Sequence, residues 1–129
     1  MFLLYLGVPE GVESDKGEFM NHCCSPNAIF LNDDYMIAIK TIEPNDEVTY
    51  DYACSETPTS SHMPFKCACG TNDCRGTITG YDLLKLSVRV KYGNYLFTSN
   101  ARRYQTKYEN GEVDVPAGID GIAPGIYKK

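Results

Sequence analysis

The chain is organised around residues 67–76, which read Cys-Ala-Cys-Gly-Thr-Asn-Asp-Cys-Arg-Gly. Three thiols stand close together among small and turn-forming residues, a pattern typical of a metal-binding loop. Structural zinc takes four ligands in a tetrahedron, so this cluster is incomplete and predicts a further cysteine from elsewhere. The remaining cysteines of the sequence, and therefore the candidates, are Cys23, Cys24 and Cys54.

Two other interpretations of the cysteines remain open on the sequence alone. Six cysteines could form three disulfides, and clustered thiols also occur in redox and iron–sulfur proteins. No Asn-x-Ser/Thr sequon is present, and the apolar residues 1–8 lack the basic n-region of a secretory signal. We therefore expect a metal site in a reducing, intracellular compartment, either the nucleus or the cytoplasm.

Composition limits the size and the partners of the protein. A chain of 129 residues predicts one compact domain with a tail. A net charge of -5 argues against direct nucleic-acid binding and suits a basic partner such as a lysine-rich peptide. The apolar residues 1–8 are too few to span a membrane and predict a buried strand instead.

The pattern along the chain predicts a mainly β fold. Residues 28–31 and 35–42 predict a hairpin around a polar turn, and residues 48–53 predict a third strand. Apolar and polar residues alternate over 84–92, which predicts a half-buried strand. The chain after Gly93 has few periodic apolar positions and is expected to wrap the surface or to be partly disordered.

Three motifs, in order, resemble the SET-domain family of protein-lysine methyltransferases. Residues 19–27 (Phe-Met-Asn-His-Cys-Cys-Ser-Pro-Asn) are similar to its Asn-His motif, with Cys23 where Ser is usual. Residues 46–52 (Asp-Glu-Val-Thr-Tyr-Asp-Tyr) are similar to its second motif, and residues 67–76 are similar to its post-SET segment. The resemblance covers roughly residues 17–80.

The resemblance implies a fold, a reaction and a site. The fold is the C-terminal part of a SET (β-clip) domain with a small zinc-bound post-SET segment. The reaction is methyl transfer from S-adenosylmethionine to a protein lysine, for example in a histone tail. By position, Asn21 and His22 match cofactor-binding residues, Tyr52 matches the catalytic tyrosine and Tyr50 matches a residue lining the lysine channel. The implied zinc ligands are Cys24, Cys67, Cys69 and Cys74, with Cys54 as the alternative to Cys24.

One element of the family pattern is missing from the sequence. The family carries a Gly-x-Gly turn before its Asn-His motif, and no such turn precedes Asn21 here. The expected organisation is the C-terminal part of a SET domain over 1–54, a linker loop over 55–66, the post-SET zinc segment over 67–80 and a C-terminal extension over 81–129. Two functions follow: a methyltransferase whose N-terminal half lies elsewhere, or a non-catalytic, zinc-clamped interaction module. The oligomeric state is not predicted.

Overall fold

A computed structural model describes residues 3–5, 20–60, 63–93 and 96–123. Seven short strands and two α-helices form around one hydrophobic core over these residues. None of the described helices is long and apolar enough to cross a bilayer.

The main sheet has three antiparallel strands, β1 (Leu3–Tyr5), β3 (Ala28–Phe30) and β4 (Tyr35–Ala38). Their order in the sheet is β1-β4-β3. The predicted hairpin is therefore confirmed, with strands shorter than expected, and Ile29 lies opposite Ile37 in its register. For the predicted opening strand, only the backbone pairing of β1 with β4 falls within the described residues.

Two smaller sheets bring the sequence motifs together. Strands β2 (Asn21–His22) and β5 (Thr49–Tyr50) pair in parallel, with His22 opposite Tyr50. The third strand predicted over 48–53 was too long, because the chain turns into a 3-10 helix at Tyr52–Cys54. Strands β6 (Phe65–Lys66) and β7 (Thr77–Ile78) form a hairpin whose connection holds the three clustered cysteines.

The strand predicted over 84–92 was wrong, because helix α1 (Leu86–Tyr92) occupies most of this range. Leu84, Val88 and Tyr92 are buried, whereas the apolar residues between them are exposed, Leu86 by 55% and Val90 by 75%. Val88 and Tyr92 are four apart and share one face of α1, so burial within the helix follows the helical period and not the alternation. Leu84 lies before α1, at the end of the 3-10 helix Asp82–Leu84. The helix ends at Gly93, whose φ of +66° suits glycine.

The expectation of an irregular C-terminal region was also wrong over 99–109. Helix α2 (Ser99–Glu109) begins after the N-cap Thr98, whose side chain accepts a hydrogen bond from the Ala101 N–H. Asp33, at the tip of the β3–β4 hairpin, also accepts a hydrogen bond from the Ser99 N–H at 2.7 Å. The face of α2 that contains Ala101 and Tyr108 is buried.

The hydrophobic core is shared between the hairpin, the tyrosine motif and both helices. Its buried members from these parts include Phe30, Met36, Tyr50, Cys54, Leu83, Val88, Phe97 and Ala101. The seven strands confirm the predicted mainly β architecture, and the two helices complete its hydrophobic core. The proposed boundaries at 54, 66 and 80 stay predictions.

Candidate functional site

Four thiols converge at one place in the structure. The sulfur atoms of Cys24, Cys67, Cys69 and Cys74 all lie within 4.8 Å of one another, and Cys24 Sγ is 3.9 Å from Cys67 Sγ. Bonds of about 2.3 Å to a tetrahedral zinc place thiolates roughly 3.8 Å apart. The donor set and its spacing therefore fit a structural zinc ion.

The β6–β7 hairpin positions three of these thiols. The Cys67 N–H donates to the Gly76 carbonyl at 2.6 Å, which closes the loop, and the Cys74 N–H donates to the Thr71 carbonyl at 3.2 Å. Turn formation by the small and polar residues between the cysteines folds the loop back on itself. The remaining thiol comes from Cys24, which is fully buried and follows β2.

The thiols differ in their tendency to ionise. Hydrogen bonds from Thr71 lower the pKa of Cys69 to about 5, and the two side chains are 3.2 Å apart. Burial raises the pKa of Cys24, although the Arg75 N–H donates to its sulfur at 3.3 Å. A bound cation would favour the thiolate at all four positions.

The two other cysteines have different surroundings. Cys54 is buried in the hydrophobic core and is not part of the four-thiol group. Cys23 is partly buried, and its sulfur accepts a hydrogen bond from the Ser25 N–H at 3.4 Å. All six cysteines are free thiols in the structure.

The imidazole of His22 connects the thiol cluster to the tyrosine motif. Nδ1 accepts a hydrogen bond from the Tyr52 N–H at 3.0 Å, so Nε2 carries the proton and faces Cys24 Sγ at 3.2 Å. The side chain is only 2% exposed, and this burial lowers the pKa of His22. Because both ring nitrogens have internal partners, any contact between His22 and a ligand falls to its main chain.

Tyr52 lies beside the Asn-His motif. Its hydroxyl donates to the Met20 carbonyl at 2.7 Å, and its ring packs edge-on against His22 and Phe65, with centroids 5.3 and 5.8 Å away. Burial raises the pKa of Tyr52, and the nearby carboxylates of Glu56 and Glu47 add to this rise. The phenol is therefore neutral at physiological pH.

Tyr50 forms the other half of a tyrosine pair. Its ring centroid is 4.9 Å from that of Tyr52, and it packs edge-on against Phe30 at 5.2 Å. The hydroxyl of Ser55 donates to the Tyr50 hydroxyl at 3.4 Å. Burial raises the pKa of Tyr50 as well, so this position presents a neutral, well-packed phenol.

Asn21 is the most exposed of the candidate residues. Its side-chain amide donates to the Glu47 carboxylate. Asn27 braces the same region, because its side chain donates to the Glu47 carbonyl at 2.8 Å and accepts from the Thr49 N–H at 2.9 Å. Both ends of the first motif therefore hold the strand that leads to Tyr50.

Sequence reasoning missed a buried ionic group. The guanidinium of Arg75 donates two hydrogen bonds to the Asp51 carboxylate, at 2.7 and 2.8 Å, and a third to Asp82 at 3.0 Å. The Tyr92 hydroxyl donates to Asp51 at 2.8 Å. Arg75 and Asp51 both stand inside the recognised motifs, and this position was the only signal available in the sequence.

A surface cavity of about 430 Å³ lies away from these residues. It is lined by the hairpin tip and the start of α2, including Leu31, Asp33, Phe97 and Arg102. None of the candidate site residues lines it. We therefore place the candidate site at the thiol cluster and the adjoining tyrosine pair.

Comparison with known proteins identifies the class. Residues 4–53 match the family model described as SET domain, which is the family that the sequence motifs resemble. No solved structure matches the chain.

The similar curated proteins include histone-lysine N-methyltransferases. One from Arabidopsis thaliana, H3 lysine-9 specific SUVH7, is 36% identical, over 52% of this chain and 12% of the relative. An H3 lysine-4 specific enzyme from Candida albicans is 38% identical, over 45% of this chain and 6% of the relative. An H3 lysine-9 specific enzyme from Schizosaccharomyces pombe is 34% identical, over 51% of this chain and 18% of the relative. The chain thus spans less than a fifth of the length of these three relatives.

Proposed function

We propose that this chain takes part in S-adenosylmethionine-dependent methylation of a protein lysine. The observation that carries the proposal is the contact between the two SET motifs. Tyr52 donates a hydrogen bond from its hydroxyl to the Met20 carbonyl and another from its N–H to His22 Nδ1. Met20 and His22 flank Asn21 in sequence. The names of the relatives support the same chemistry.

Different residues would bind the cofactor and position the lysine in such a reaction. S-adenosylmethionine, when bound, supplies the methyl group. Asn21 and the main chain of His22 would hold the cofactor, since the imidazole already has internal partners. The neutral hydroxyl of Tyr52 would orient the lysine amine, and Tyr50 would line the channel around it. Methyl transfer depends chiefly on alignment and exclusion of water, and packed aromatic rings provide both.

The four-thiol group would hold a structural zinc ion. Zinc bound by Cys24 and by the loop of residues 67–76 would join two segments that are distant in sequence. This joint would fix the post-SET segment beside the tyrosine pair. It supplies rigidity and takes no part in the chemical step.

The substrate class follows from the relatives and from charge. The relatives act on histone H3 by name, and an acidic chain with a net charge of -5 suits a lysine-rich tail. We therefore propose a histone tail or another lysine-containing protein as substrate, with nuclear, intracellular localisation. Tyrosine at position 50 leaves less room beside the amine than phenylalanine would, which favours mono- and dimethylation.

Cofactor binding and turnover test the proposal. When the chain is supplied with the N-terminal half expected of the family, isothermal titration with S-adenosylmethionine should show one binding site. Incubation of the same preparation with histone H3 peptides should add methyl groups detectable by mass spectrometry. If zinc is bound but no S-adenosylmethionine binds, the non-catalytic interaction module becomes the better description. A product that is mainly trimethyl-lysine would contradict the role given to Tyr50.

Replacing the Tyr52 hydroxyl tests the catalytic assignment. Tyr52→Phe should lower the methyl-transfer rate more than about tenfold, because the amine loses its orienting hydroxyl. Circular dichroism and cofactor affinity should change little, since the ring contacts remain. Tyr104→Phe, a half-buried tyrosine on α2, is the matched control and should keep full activity. Equal rates for Tyr52→Phe and the wild type would remove Tyr52 from the mechanism.

A further inference from the structure

The loop that holds three of the thiols has almost no apolar anchorage. Every residue from 66 to 77 is exposed or only partly buried. Apolar burial is the main force that holds a segment on a folded core, and this loop lacks it. Hydrophobic packing therefore does not explain why the loop lies beside Cys24, and its polar contacts have to be considered.

Arg75 supplies a polar attachment of the required strength. Its side chain is only 11% exposed, and both of its carboxylate partners, Asp51 and Asp82, are fully buried. Three N–H groups of the planar guanidinium bond to these two carboxylates at 2.7 to 3.0 Å. A bidentate guanidinium–carboxylate pair fixes orientation as well as distance.

The main chain of Arg75 reaches the thiol cluster directly. Its N–H donates to Cys24 Sγ at 3.3 Å, and Cys74 is its neighbour in sequence. On the other side, Asp51 precedes Tyr52, whose N–H donates to His22, and His22 faces the same sulfur. These contacts form a closed ring through Cys24, Arg75, Asp51 and His22, and each of them is made between atoms of the protein itself.

The other polar attachment of the loop is weaker. Lys91 donates to the Cys24 carbonyl and lies 3.4 Å from the Asp73 carboxylate. The Asp73 side chain is 62% exposed, so water and salt screen this pair. Arg75 is therefore the attachment that matters most for the loop.

We infer that Arg75 is a positioning residue that holds residues 67–76 against the tyrosine motif before metal binds, so that zinc meets an assembled four-thiol site. The inference rests on the zinc site proposed above and is independent of methyl transfer. A site that is already assembled binds with its intrinsic affinity, whereas a site assembled only part of the time binds more weakly in proportion.

Zinc affinity and hydrogen exchange test the inference. Arg75→Lys keeps the positive charge but loses the planar guanidinium and its three hydrogen bonds. The variant should bind zinc at least about tenfold more weakly, as measured by competition with a chromophoric chelator. In metal-free wild-type protein, the amides of residues 67–76 should stay protected, and in metal-free Arg75→Lys they should exchange freely. Saturating zinc should restore their protection in the variant.

Two controls separate positioning from general loss of stability. Arg103→Lys, at an exposed position on α2, should leave zinc affinity unchanged. Tyr108→Phe loses a buried hydrogen bond to the Ala123 carbonyl, which lowers stability. This bond involves neither the loop nor its two carboxylate partners, so zinc affinity should stay within about twofold of wild type.

Hydrogen exchange of the metal-free wild-type protein tests the inference even if Arg75→Lys fails to fold. Free exchange of residues 67–76 in that protein overturns the inference, and so does unchanged zinc affinity in a folded Arg75→Lys variant. Absence of zinc binding by the wild type overturns the proposed metal site itself. Loss of methyl transfer with normal zinc affinity bears on the proposed reaction alone.

Discussion

At the scale of single residues, His22 determines how the four-thiol group and the tyrosine pair are connected. One ring nitrogen accepts from the Tyr52 N–H, and the other faces Cys24 Sγ. A buried imidazole with both nitrogens satisfied holds one orientation, because rotation would leave a polar atom unpaired. His22 therefore fixes Tyr52 relative to Cys24.

Substitution of single cysteines distinguishes the metal ligands. Cys24→Ser should lose most bound zinc, because the site keeps three thiols. Cys54→Ser should keep one zinc per chain and lose stability instead, by roughly 1–3 kcal/mol, since it buries a hydroxyl in the core. Elemental analysis of both purified proteins measures the zinc content. Full zinc content in Cys24→Ser would contradict the ligand set, and iron in the wild type would favour the iron–sulfur interpretation.

At the scale of elements, the segment from Leu84 to Tyr92 shows how one sequence pattern supports two structures. Alternation places five apolar residues on one strand face, whereas the structure buries Leu84 in the 3-10 helix before α1 and only Val88 and Tyr92 within α1. Burial of these three residues against the core decides between the two structures. Leu86 and Val90 remain exposed on the outer face of α1.

Two valines test the helix directly. Val88→Ala should lower the free energy of unfolding by about 1–3 kcal/mol, because Val88 is 2% exposed and its removal leaves a cavity. Val90→Ala should change the free energy by less than about 0.5 kcal/mol, since Val90 is 75% exposed and alanine favours helix. Urea unfolding of both variants measures the difference. Similar losses for the two valines would instead support a strand with both on its buried face.

At the scale of the whole molecule, three segments that are far apart in sequence meet at one ionic group. Asp51 comes from the tyrosine motif, Arg75 from the loop of residues 67–76 and Asp82 from the segment before α1. The hydrophobic core crosses the same boundaries, from Phe30 to Tyr108. Stability of the described parts of the chain therefore depends on contacts between motifs more than on any one motif.

Acid should weaken this ionic group. Burial opposes ionisation of Asp51, but the hydrogen bonds and charge of Arg75 outweigh it and hold the pKa of Asp51 below its ordinary value of 3.8. A lowered folded-state pKa gives stability that is complete above pH 3.8 and is lost as the pH falls through the folded value. Asp51→Asn should therefore lower stability at pH 7 by roughly 3–5 kcal/mol, and the difference from wild type should shrink at pH 3 and below.

Chemical denaturation at pH 7, 4, 3 and 2 measures this dependence, with Asp114→Asn, in the C-terminal region, as the control. The control should follow the wild type throughout. A difference between wild type and Asp51→Asn that stays constant down to pH 2 would show that folding does not lower the pKa of Asp51.

Local sequence predicted some parts of the fold better than others. The β3–β4 hairpin was predictable because its turn residues and β-prone strands are contiguous. Helix α2 was missed because its buried face relies on Ala101, Gln105 and Tyr108, which give only a weak apolar pattern. The role of Arg75 was missed because its two partners, Asp51 and Asp82, lie on different segments, and a single sequence does not report such contacts.

By itself, the sequence determined the chemistry available to this protein: clustered thiols, an Asn-His pair and two tyrosines, each in a short motif that resembles one of the SET-domain family. Those motifs are local, so residue type and spacing are enough to recognise them. Only the tertiary structure decided which thiol joins the cluster, which way His22 faces and what holds the loop of residues 67–76. These features depend on burial and on contacts between distant segments, and they exist only once the core has formed.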